Sequence, residues 1–147
     1  MRKNILIIQG HPATSHDHLG HALASASEKG ALESGYTVKT LSIANIDFPL
    51  LRTNEDFYSH TPLPVIRQCQ DDIRWANHLV IFYPLWMGSM PALLKGFFEQ
   101  VFRPGFATEP VDGGKKWARL LKGKSAHIVV TMGMPAFAYR WFYGAHG

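Results

Sequence analysis

The chain has 147 residues, of which 46% are hydrophobic and 18% are charged, and its formal net charge is +4. This length predicts a single domain covering residues 1–147, and this composition excludes an intrinsically disordered chain. The wholly apolar runs are too short to span a membrane, and residues 1–4 lead directly into a strand-like run without a cleavage-site pattern, so we expect neither a membrane span nor a signal peptide.

The first half of the chain opens with a short run of branched apolar residues. Residues 5–8 predict a strand buried on both faces, as in the centre of a parallel sheet. A helix follows, which Gly30 or Gly35 can end. Residues 36–41 predict a less buried second strand, and residues 44–62 are predicted to be irregular. The predicted buried face of the first helix consists of Leu19, Ala22, Leu23 and Ala26.

The second half repeats the alternation of helix and strand. Residues 79–83 and 126–131 predict the third and fourth strands, and residues 103–124 predict a loop rich in glycine and lysine. The helix before the third strand has an apolar face of Ile66, Cys69, Ile73 and Ala76. The helix after it has a longer apolar face of Met90, Leu93, Leu94, Phe97, Phe98, Val101 and Phe102.

This alternation predicts an α/β fold, a parallel sheet with helices on both faces. A doubly wound sheet of the flavodoxin-like kind has five strands in the order 2-1-3-4-5. Four strands are visible here, so we expect the order 2-1-3-4 with the fifth strand missing. The fourth strand would then form an edge of the sheet, and the aromatic tail from residue 136 would have no strand to lead into.

Two uncharged segments follow buried strands, residues 83–91 and 131–135. Chain that leaves a parallel strand and turns through glycine and proline forms the ligand crevice of such sheets. A segment without formal charge suits a flat, largely apolar ring better than a metal or a sugar. Trp86 and Met87 could be core residues, but their position before a helix with its own apolar face favours contact with a ring.

The loop at residues 10–19 joins the first strand to the first helix. Thr14, Ser15 and Asp17 are good helix caps, so this loop is either a phosphate site at a helix N-terminus or a plain cap. It matches neither common glycine-rich nucleotide motif. Four histidines crowd the region, His11, His16, His18 and His21. They lack the accompanying carboxylate of a common zinc motif, so we expect no metal site.

Other features narrow the function further. Cys69 is the single cysteine, which excludes an intramolecular disulfide and fits a reducing, cytoplasmic location; its place on an apolar helix face predicts a buried, inert thiol. Ser89 lies outside a Gly-x-Ser-x-Gly motif, which argues against an α/β-hydrolase.

The late excess of cations at residues 103–124 either belongs to a solvated loop or attracts a phosphorylated ligand such as NADPH. Because no basic helix face carries interleaved aromatics, we expect no nucleic acid partner.

At these residues the chain resembles the flavodoxin-like NAD(P)H:quinone oxidoreductases, the NAD(P)H dehydrogenases (quinone). The resemblance covers essentially the whole chain and rests on residues 10–12, 83–86, 90–98, 101–107 and 131–133. It implies an enzyme with a bound flavin, FAD or FMN, in which NAD(P)H and then a quinone-like acceptor use one site in turn. It also implies a homodimer.

The resemblance further implies which residues serve the site. His11, Ser15 and His18 match the positions that hold the flavin phosphates, although the sequence of residues 15–18 departs from the family signature. The residues expected beside the flavin ring are Pro84, Leu85, Trp86, Met87, Thr131, Met132 and Gly133. Tyr139 and His146 resemble the catalytic pair that stabilises negative charge and relays a proton, with Tyr143 as an alternative tyrosine.

Two other classes of function are open at this point. One is a catalytically silent or regulatory flavodoxin-like fragment that acts through protein–protein contacts, as in a dimer, because an uncovered fourth strand would expose apolar surface. The other is a receiver-type signalling domain, which needs acidic residues after the first and third strands. Gln9 and Tyr83 stand there instead, so we disfavour this class.

Overall fold

The structure is a computed structural model that describes residues 3–15, 17–58 and 61–144. In chain order its helices and strands are β1 (Asn4–Gln9), α1 (Leu19–Glu33), β2 (Thr37–Ser42), α2 (Asn54–Tyr58), α3 (Pro64–Trp75), β3 (His78–Pro84), α4 (Ala92–Val101), β4 (Thr108–Val111), β5 (Lys116–Arg119), β6 (Ser125–Thr131) and α5 (Ala136–Tyr143).

The main sheet has the order β2-β1-β3-β6 and its neighbouring strands run parallel. This confirms the α/β class and the predicted order 2-1-3-4. Ile8 of β1 lies opposite Leu41 and Ile81, and Tyr83 of β3 lies opposite Val130. Because all four strands end at one edge, the loops that follow β1, β3 and β6 meet there. Over the described ranges no strand pairs with the outer side of β6.

Two helices cover one face of the sheet and one covers the other. On the first face α3 and α4 bury Ile66, Ile73, Leu94 and Phe97 against the strands, which confirms the predicted apolar faces of these helices. On the second face α1 packs over a smaller cluster that contains Ile7, Ala24 and Phe82. The amino-terminal half of β6 is exposed, and Ile128 retains 55% of its accessible surface.

The predicted buried face of α1 was wrong. Its buried residues are Gly20, His21 and Ala24, while Leu19 and Leu23 are exposed and Ala22 and Ala26 lie with them on the solvent side. The small side chains of Gly20 and Ala24 let the helix approach the sheet closely, which turns the leucines outward.

Two segments predicted to lack regular structure contain it. In residues 44–62, a capping box starts α2: Thr53 N donates to Asp56 Oδ2 at 3.1 Å, and Asp56 N donates to Thr53 Oγ1 at 3.1 Å. In residues 103–124, β4 and β5 form an antiparallel hairpin outside the main sheet. Its connection contains Asp112 and Gly113, both with positive φ, the turn chemistry that favours hairpins.

The aromatic tail forms α5, which Gly144 ends in the left-handed conformation. Across the described ranges, no helix is long and apolar enough to cross a membrane.

Candidate functional site

The loop after β1 crosses the end of β3 at very short range. Gly10 N donates to Phe82 O at 2.6 Å. A Cβ atom at Gly10 would lie 2.7 Å from Leu94 Cδ2 and 2.8 Å from Phe82 O. Glycine is therefore required because any side chain would separate the loop from β3. This contact holds the following residue, His11, beside the loop that leaves β3.

Gln9, the last residue of β1, ties the same loop to α1. Its Nε2 donates to Gly20 O at 2.9 Å, and its Oε1 accepts from His11 N at 3.3 Å. The side chain is buried, so both polar ends are satisfied inside the protein. Sequence reasoning gave Gln9 no structural role, although a buried amide at a strand end is a signal for such a link.

In the described part of this loop and of α1, His11, His18 and His21 form a compact cluster, while His16 lies outside the described residues. The His11 and His18 rings stack with centroids 4.0 Å apart, and the His21 centroid lies 5.4 Å from that of His11 and 5.8 Å from that of His18. His18 precedes the first turn of α1, and Ser15 Oγ lies 3.4 Å from its Nε2. The structure thus brings together His11, Ser15 and His18 at the positive end of a helix, where anions are favoured.

The backbone fixes the tautomer of His11. Ala13 N donates to His11 Nδ1 at 3.0 Å, so Nδ1 is an acceptor and the neutral ring carries its proton on Nε2. Burial lowers the pKa of His11, and the nearby His18 and His21 lower it further. The free protein therefore holds His11 in its neutral form at neutral pH.

The loop after β3 closes in a tight turn. Trp86 N donates to Ser89 O at 2.8 Å, and Ser89 N donates to Trp86 O at 3.0 Å. The two central residues, Met87 and Gly88, both have positive φ, at 50° and 80°, as in a type I′ turn. Met87 adopts a conformation that non-glycine residues rarely take, and its side chain is fully exposed.

The loops after β3 and β6 adjoin and line a cavity of about 640 Å³. Leu85 N donates to Thr131 O at 2.8 Å, which holds the two loops side by side. The cavity is lined by Leu85, Met87, Gly88, Met132, Gly133, Met134 and Tyr139. None of these side chains is formally charged, and the volume lies within the range of small-molecule sites.

Tyr139 connects α5 to the turn after β3. Its hydroxyl donates to Gly88 O at 3.3 Å, and its side chain is 9% exposed. Burial raises the pKa of the neighbouring Tyr83, and electrostatic interaction with Tyr139 raises it further. Tyr139 lines the cavity, and its hydrogen bond to Gly88 O holds the turn that lines another side of it.

His11 also links the histidine cluster to the turn after β3. The His11 and Trp86 rings meet edge to face with centroids 6.0 Å apart. Trp86 is half-exposed at this junction rather than buried under α4. Pro84 ends β3 and is partly buried. The loops from β1, β3 and β6 thus form one continuous surface at the carboxyl edge of the sheet.

The structure assembles most of the residues predicted for the site and adds others. Of the phosphate-side candidates, His11 and His18 belong to the histidine cluster and Ser15 lies beside it. Leu85, Met87, Met132, Gly133 and Tyr139 line the cavity, whereas the predicted Pro84, Trp86 and Thr131 are not among its lining residues. His146 lies outside the described residues, as does the side chain of Tyr143. His21 and Met134 were not predicted as site residues. The spacing of His21 three positions after His18 on a helix is the signal that could have identified it.

The other candidate features of the sequence are a metal site, the thiol of Cys69 and the excess of cations at residues 103–124. In the described part of the chain, no three His, Cys, Asp or Glu side chains are placed to share a metal ion. Cys69 is buried, as predicted, and burial together with Asp72 raises its pKa to about 11. Of the late cations, Lys116 pairs with Asp112 at 3.4 Å, and Lys124 Nζ donates to the carbonyl of Arg74 at 2.8 Å.

These features define an α/β protein with a doubly wound parallel sheet and a candidate ligand site at the carboxyl edge of that sheet. A family model described as "Flavodoxin-like fold" matches residues 3–146. The chain is 31% identical over 142 residues to an "Uncharacterized NAD(P)H oxidoreductase" of Haemophilus influenzae, a match that covers 95% of this chain and 69% of that protein.

Two further similarities differ in extent. The "Glutathione-regulated potassium-efflux system ancillary protein KefG" of Shigella dysenteriae is 37% identical over 91 residues, which cover 60% of this chain and 46% of that protein. The solved structure of an NAD(P)H:quinone oxidoreductase from Methanothermobacter marburgensis superposes with a TM-score of 0.81, with 21% identity and coverage of 99% of this chain and 74% of that one. This last similarity shows a shared fold.

The chain belongs to the flavodoxin-like fold family, and its relatives include proteins named as NAD(P)H oxidoreductases.

Proposed function

We propose that this protein is a flavin-dependent oxidoreductase of the NAD(P)H dehydrogenase (quinone) type. It would carry a hydride from NAD(P)H, through bound FAD or FMN, to a quinone or a similar flat aromatic acceptor. The two substrates would use one site in turn, in a two-step reaction. The relative named as an NAD(P)H oxidoreductase supports the reaction class.

One observation carries the proposal: an uncharged cavity of about 640 Å³ adjoins a histidine cluster at the amino end of α1. A flavin combines a planar, largely apolar ring with a phosphate-bearing tail, so it needs both environments side by side. The edge-to-face contact between His11 and Trp86 joins them. The donor set therefore fits a flavin, with its ring over the cavity and its phosphate toward α1.

At the phosphate end, His11, Ser15 and His18 would bind the tail. The Nε2–H of His11 is a donor in the neutral ring, because Nδ1 accepts from Ala13 N. Ser15 contributes a hydroxyl, and α1 contributes the positive end of its dipole.

At the ring end, the chain would position the reactants and stabilise charge. The flavin, when bound, supplies the hydride and electron chemistry. Pro84, Leu85, Trp86 and Met87 would contact one side of the ring, and Thr131, Met132 and Gly133 the other. Because Gly133 has no side chain, its backbone N–H can approach a ring edge and stabilise negative charge that develops there. By the family resemblance, Tyr139 and His146 would be the pair that stabilises negative charge and relays a proton.

The same proposal includes the assembly and the location of the protein. Phe137 and Trp141 of α5 retain 77% and 86% of their accessible surface, which supports a homodimer that covers these aromatic side chains. A single buried thiol, Cys69, is compatible with the reducing cytoplasm.

Flavin titration of two glycine variants tests the cavity. A Cβ atom at Gly133 meets no atom within 4 Å, so Gly133→Val should fold while its side chain fills part of the cavity. We expect it to weaken FMN or FAD binding, followed by flavin fluorescence, by about tenfold or more. The matched control is Gly30→Ala, where a Cβ also meets nothing and binding should not change. Equal affinity in Gly133→Val and the wild type would refute the site.

A regulatory function is the second candidate, because the similar KefG protein is named as an ancillary protein of a potassium-efflux system. The exposed apolar side chains of Ile128 and Leu19 would suit a protein partner. Turnover distinguishes the two functions: a protein that binds flavin tightly but does not pass electrons from NAD(P)H to quinones supports the regulatory one.

A further inference from the structure

A second cavity, of about 410 Å³, lies on the side of the molecule formed by α3 and the segment after α4. Three of its lining residues are arginines, Arg67, Arg74 and Arg103, and no carboxylate lines it. Its other lining residues are Thr61, Pro62, Gln70, Pro104, Gly105 and Phe106. Although Asp71 and Asp56 lie near two of these arginines, a concave surface lined by three cations attracts negatively charged ligands. We call it the arginine cavity.

The arginine cavity is distant from the candidate redox site. Arg103 follows the carboxyl end of α4, a helix of ten residues that begins at the loop after β3. A helix of this length spans about 15 Å. No residue is shared between the linings of the two cavities. A ligand in the arginine cavity would therefore not occupy the place proposed for the flavin.

Arg103 is held rigidly at the base of the cavity. Its side chain is 7% exposed, its Nη1 donates to Asp56 O at 3.1 Å, and its Nη2 donates to Gln100 Oε1. Gln100 Nε2 in turn donates to Pro49 O at 2.5 Å. A buried guanidinium fixed by neighbouring groups contributes a stationary positive charge beneath the opening of the cavity.

The other two arginines flank the opening. Arg74 lies over the Phe106 ring, with Cζ 4.8 Å from the centroid, and its Nη1 contacts Asp71 Oδ1 at 3.0 Å. Arg67 makes one long hydrogen bond within the described ranges, 3.4 Å from Nη2 to Pro62 O, so most of its donors face solvent. The stacked ring orients Arg74, and Arg67 retains the freedom to close on a ligand.

We propose that the arginine cavity binds the phosphate group of a small phosphorylated molecule. Asp71 contacts Arg74, and Asp56 interacts electrostatically with Arg103, so the two carboxylates offset part of the charge and the three arginines retain a net positive charge. Their several guanidinium donors suit a phosphate group, which accepts more charge-assisted hydrogen bonds than a single carboxylate does. The apolar surfaces of Phe106, Pro104 and Pro62 provide room for the group that carries the phosphate. This inference is independent of the proposed redox function.

Calorimetric titration with inorganic phosphate at constant ionic strength tests the proposal on the full chain. We expect saturable binding that weakens by about tenfold or more in Arg67→Gln and in Arg74→Gln, because each loses charge-assisted hydrogen bonds. Both residues are exposed, so neither change should unfold the protein. The matched control is Arg119→Gln on β5, outside the cavity lining, which should bind phosphate as the wild type does.

Two further titrations separate this site from others. His11→Asn should retain phosphate binding, whereas a loss in that variant alone would place the anion at the histidine cluster and overturn the proposal. Acetate should bind at least about tenfold more weakly than phosphate; equal binding would overturn the assignment of the ligand class. Absence of saturable phosphate binding in the wild type would overturn the site itself. Unchanged flavin affinity in Arg67→Gln and Arg74→Gln would show that the two sites are independent.

Discussion

Substitution of Gly10 by alanine tests the close crossing that positions the candidate site. The added Cβ would lie 2.7 Å from Leu94 Cδ2 and 2.8 Å from Phe82 O, about 1 Å closer than an ordinary contact between carbon atoms. Phe82 O cannot retreat easily, because it belongs to a buried central strand and accepts the hydrogen bond from Gly10 N. We therefore expect Gly10→Ala to lower the free energy of unfolding by about 2–3 kcal/mol, at the upper end of overpacking costs.

Urea unfolding measures this change, and two other glycines supply the controls. At Gly96 a Cβ would meet Leu50 Cδ2 at 2.5 Å, but that leucine is 56% exposed and can move, so we expect a loss below about 1 kcal/mol. At Gly30, on the exposed side of α1, a Cβ meets nothing within 4 Å, and alanine should stabilise the helix by about 0.5–1 kcal/mol.

The three variants together isolate the cause. For a chain of this size, Gly10→Ala should also lower the melting temperature by roughly 4–10 °C. If Gly10→Ala is as stable as the wild type while Gly96→Ala is destabilised, the loop after β1 does not cross β3 as described, and the placement of His11 beside Trp86 fails with it.

Three further predictions concern single side chains. The Cys69 thiol, buried and with its pKa raised to about 11, should resist alkylation in the folded protein and react only in denaturant; rapid alkylation of native protein would contradict its burial. The pKa of His11 is lowered in the folded state from its ordinary 6.5, so the unfolded chain takes up its proton first, and stability should fall as the pH decreases from about 6.5 toward the folded pKa. We expect the urea midpoint to decline less in His11→Asn than in the wild type over this pH interval. Equal declines in the two proteins would show that His11 does not cause the loss of stability. Tyr139→Phe loses the hydrogen bond to Gly88 O and should lower the free energy of unfolding by about 0.5–1.5 kcal/mol, whereas an unchanged midpoint would show that the hydroxyl does not hold the turn.

The central strands and the helices on one face of the sheet could be predicted because their burial follows a simple periodicity. Residues 5–8 and 79–83 are continuous apolar runs, typical of strands covered on both faces. Ile66 and Ile73 on α3, and Leu94 and Phe97 on α4, repeat at helical spacing and are buried. In these strands and helices, the positions of the large apolar side chains in the sequence indicate correctly which face of the element is buried.

The face of α1 could not be predicted from the same rule. Its contact with the sheet depends on the small size of Gly20 and Ala24, a packing effect that the positions of the larger apolar residues do not reveal. The hairpin β4–β5 has little β-branched periodicity, and its signal lies in the turn at Asp112 and Gly113. The capping box of Thr53 and Asp56 similarly marks α2 more clearly than any apolar pattern does.

The sequence predicts which loops form the candidate site, but it does not predict the contacts between those loops. The sequence indicates that residues 83–91 and 131–135 follow parallel strands and therefore meet at one edge. It does not indicate that Leu85 N and Thr131 O form a hydrogen bond, which depends on the register between β3 and β6. Nor does it indicate that His11 and His18 stack, which depends on the path of the loop after Gly10. The arginine cavity is also invisible in sequence, since its three arginines come from α3 and from the segment after α4.

Anaerobic reduction of the flavin-loaded protein by NADPH or NADH tests the proposed function most directly. We expect the nicotinamide to bleach the visible absorption of the bound flavin, and a quinone added afterwards to restore it with one quinone consumed for each flavin reoxidised. A protein that takes up neither FMN nor FAD, or a loaded protein whose colour neither nicotinamide changes, would refute the proposed function.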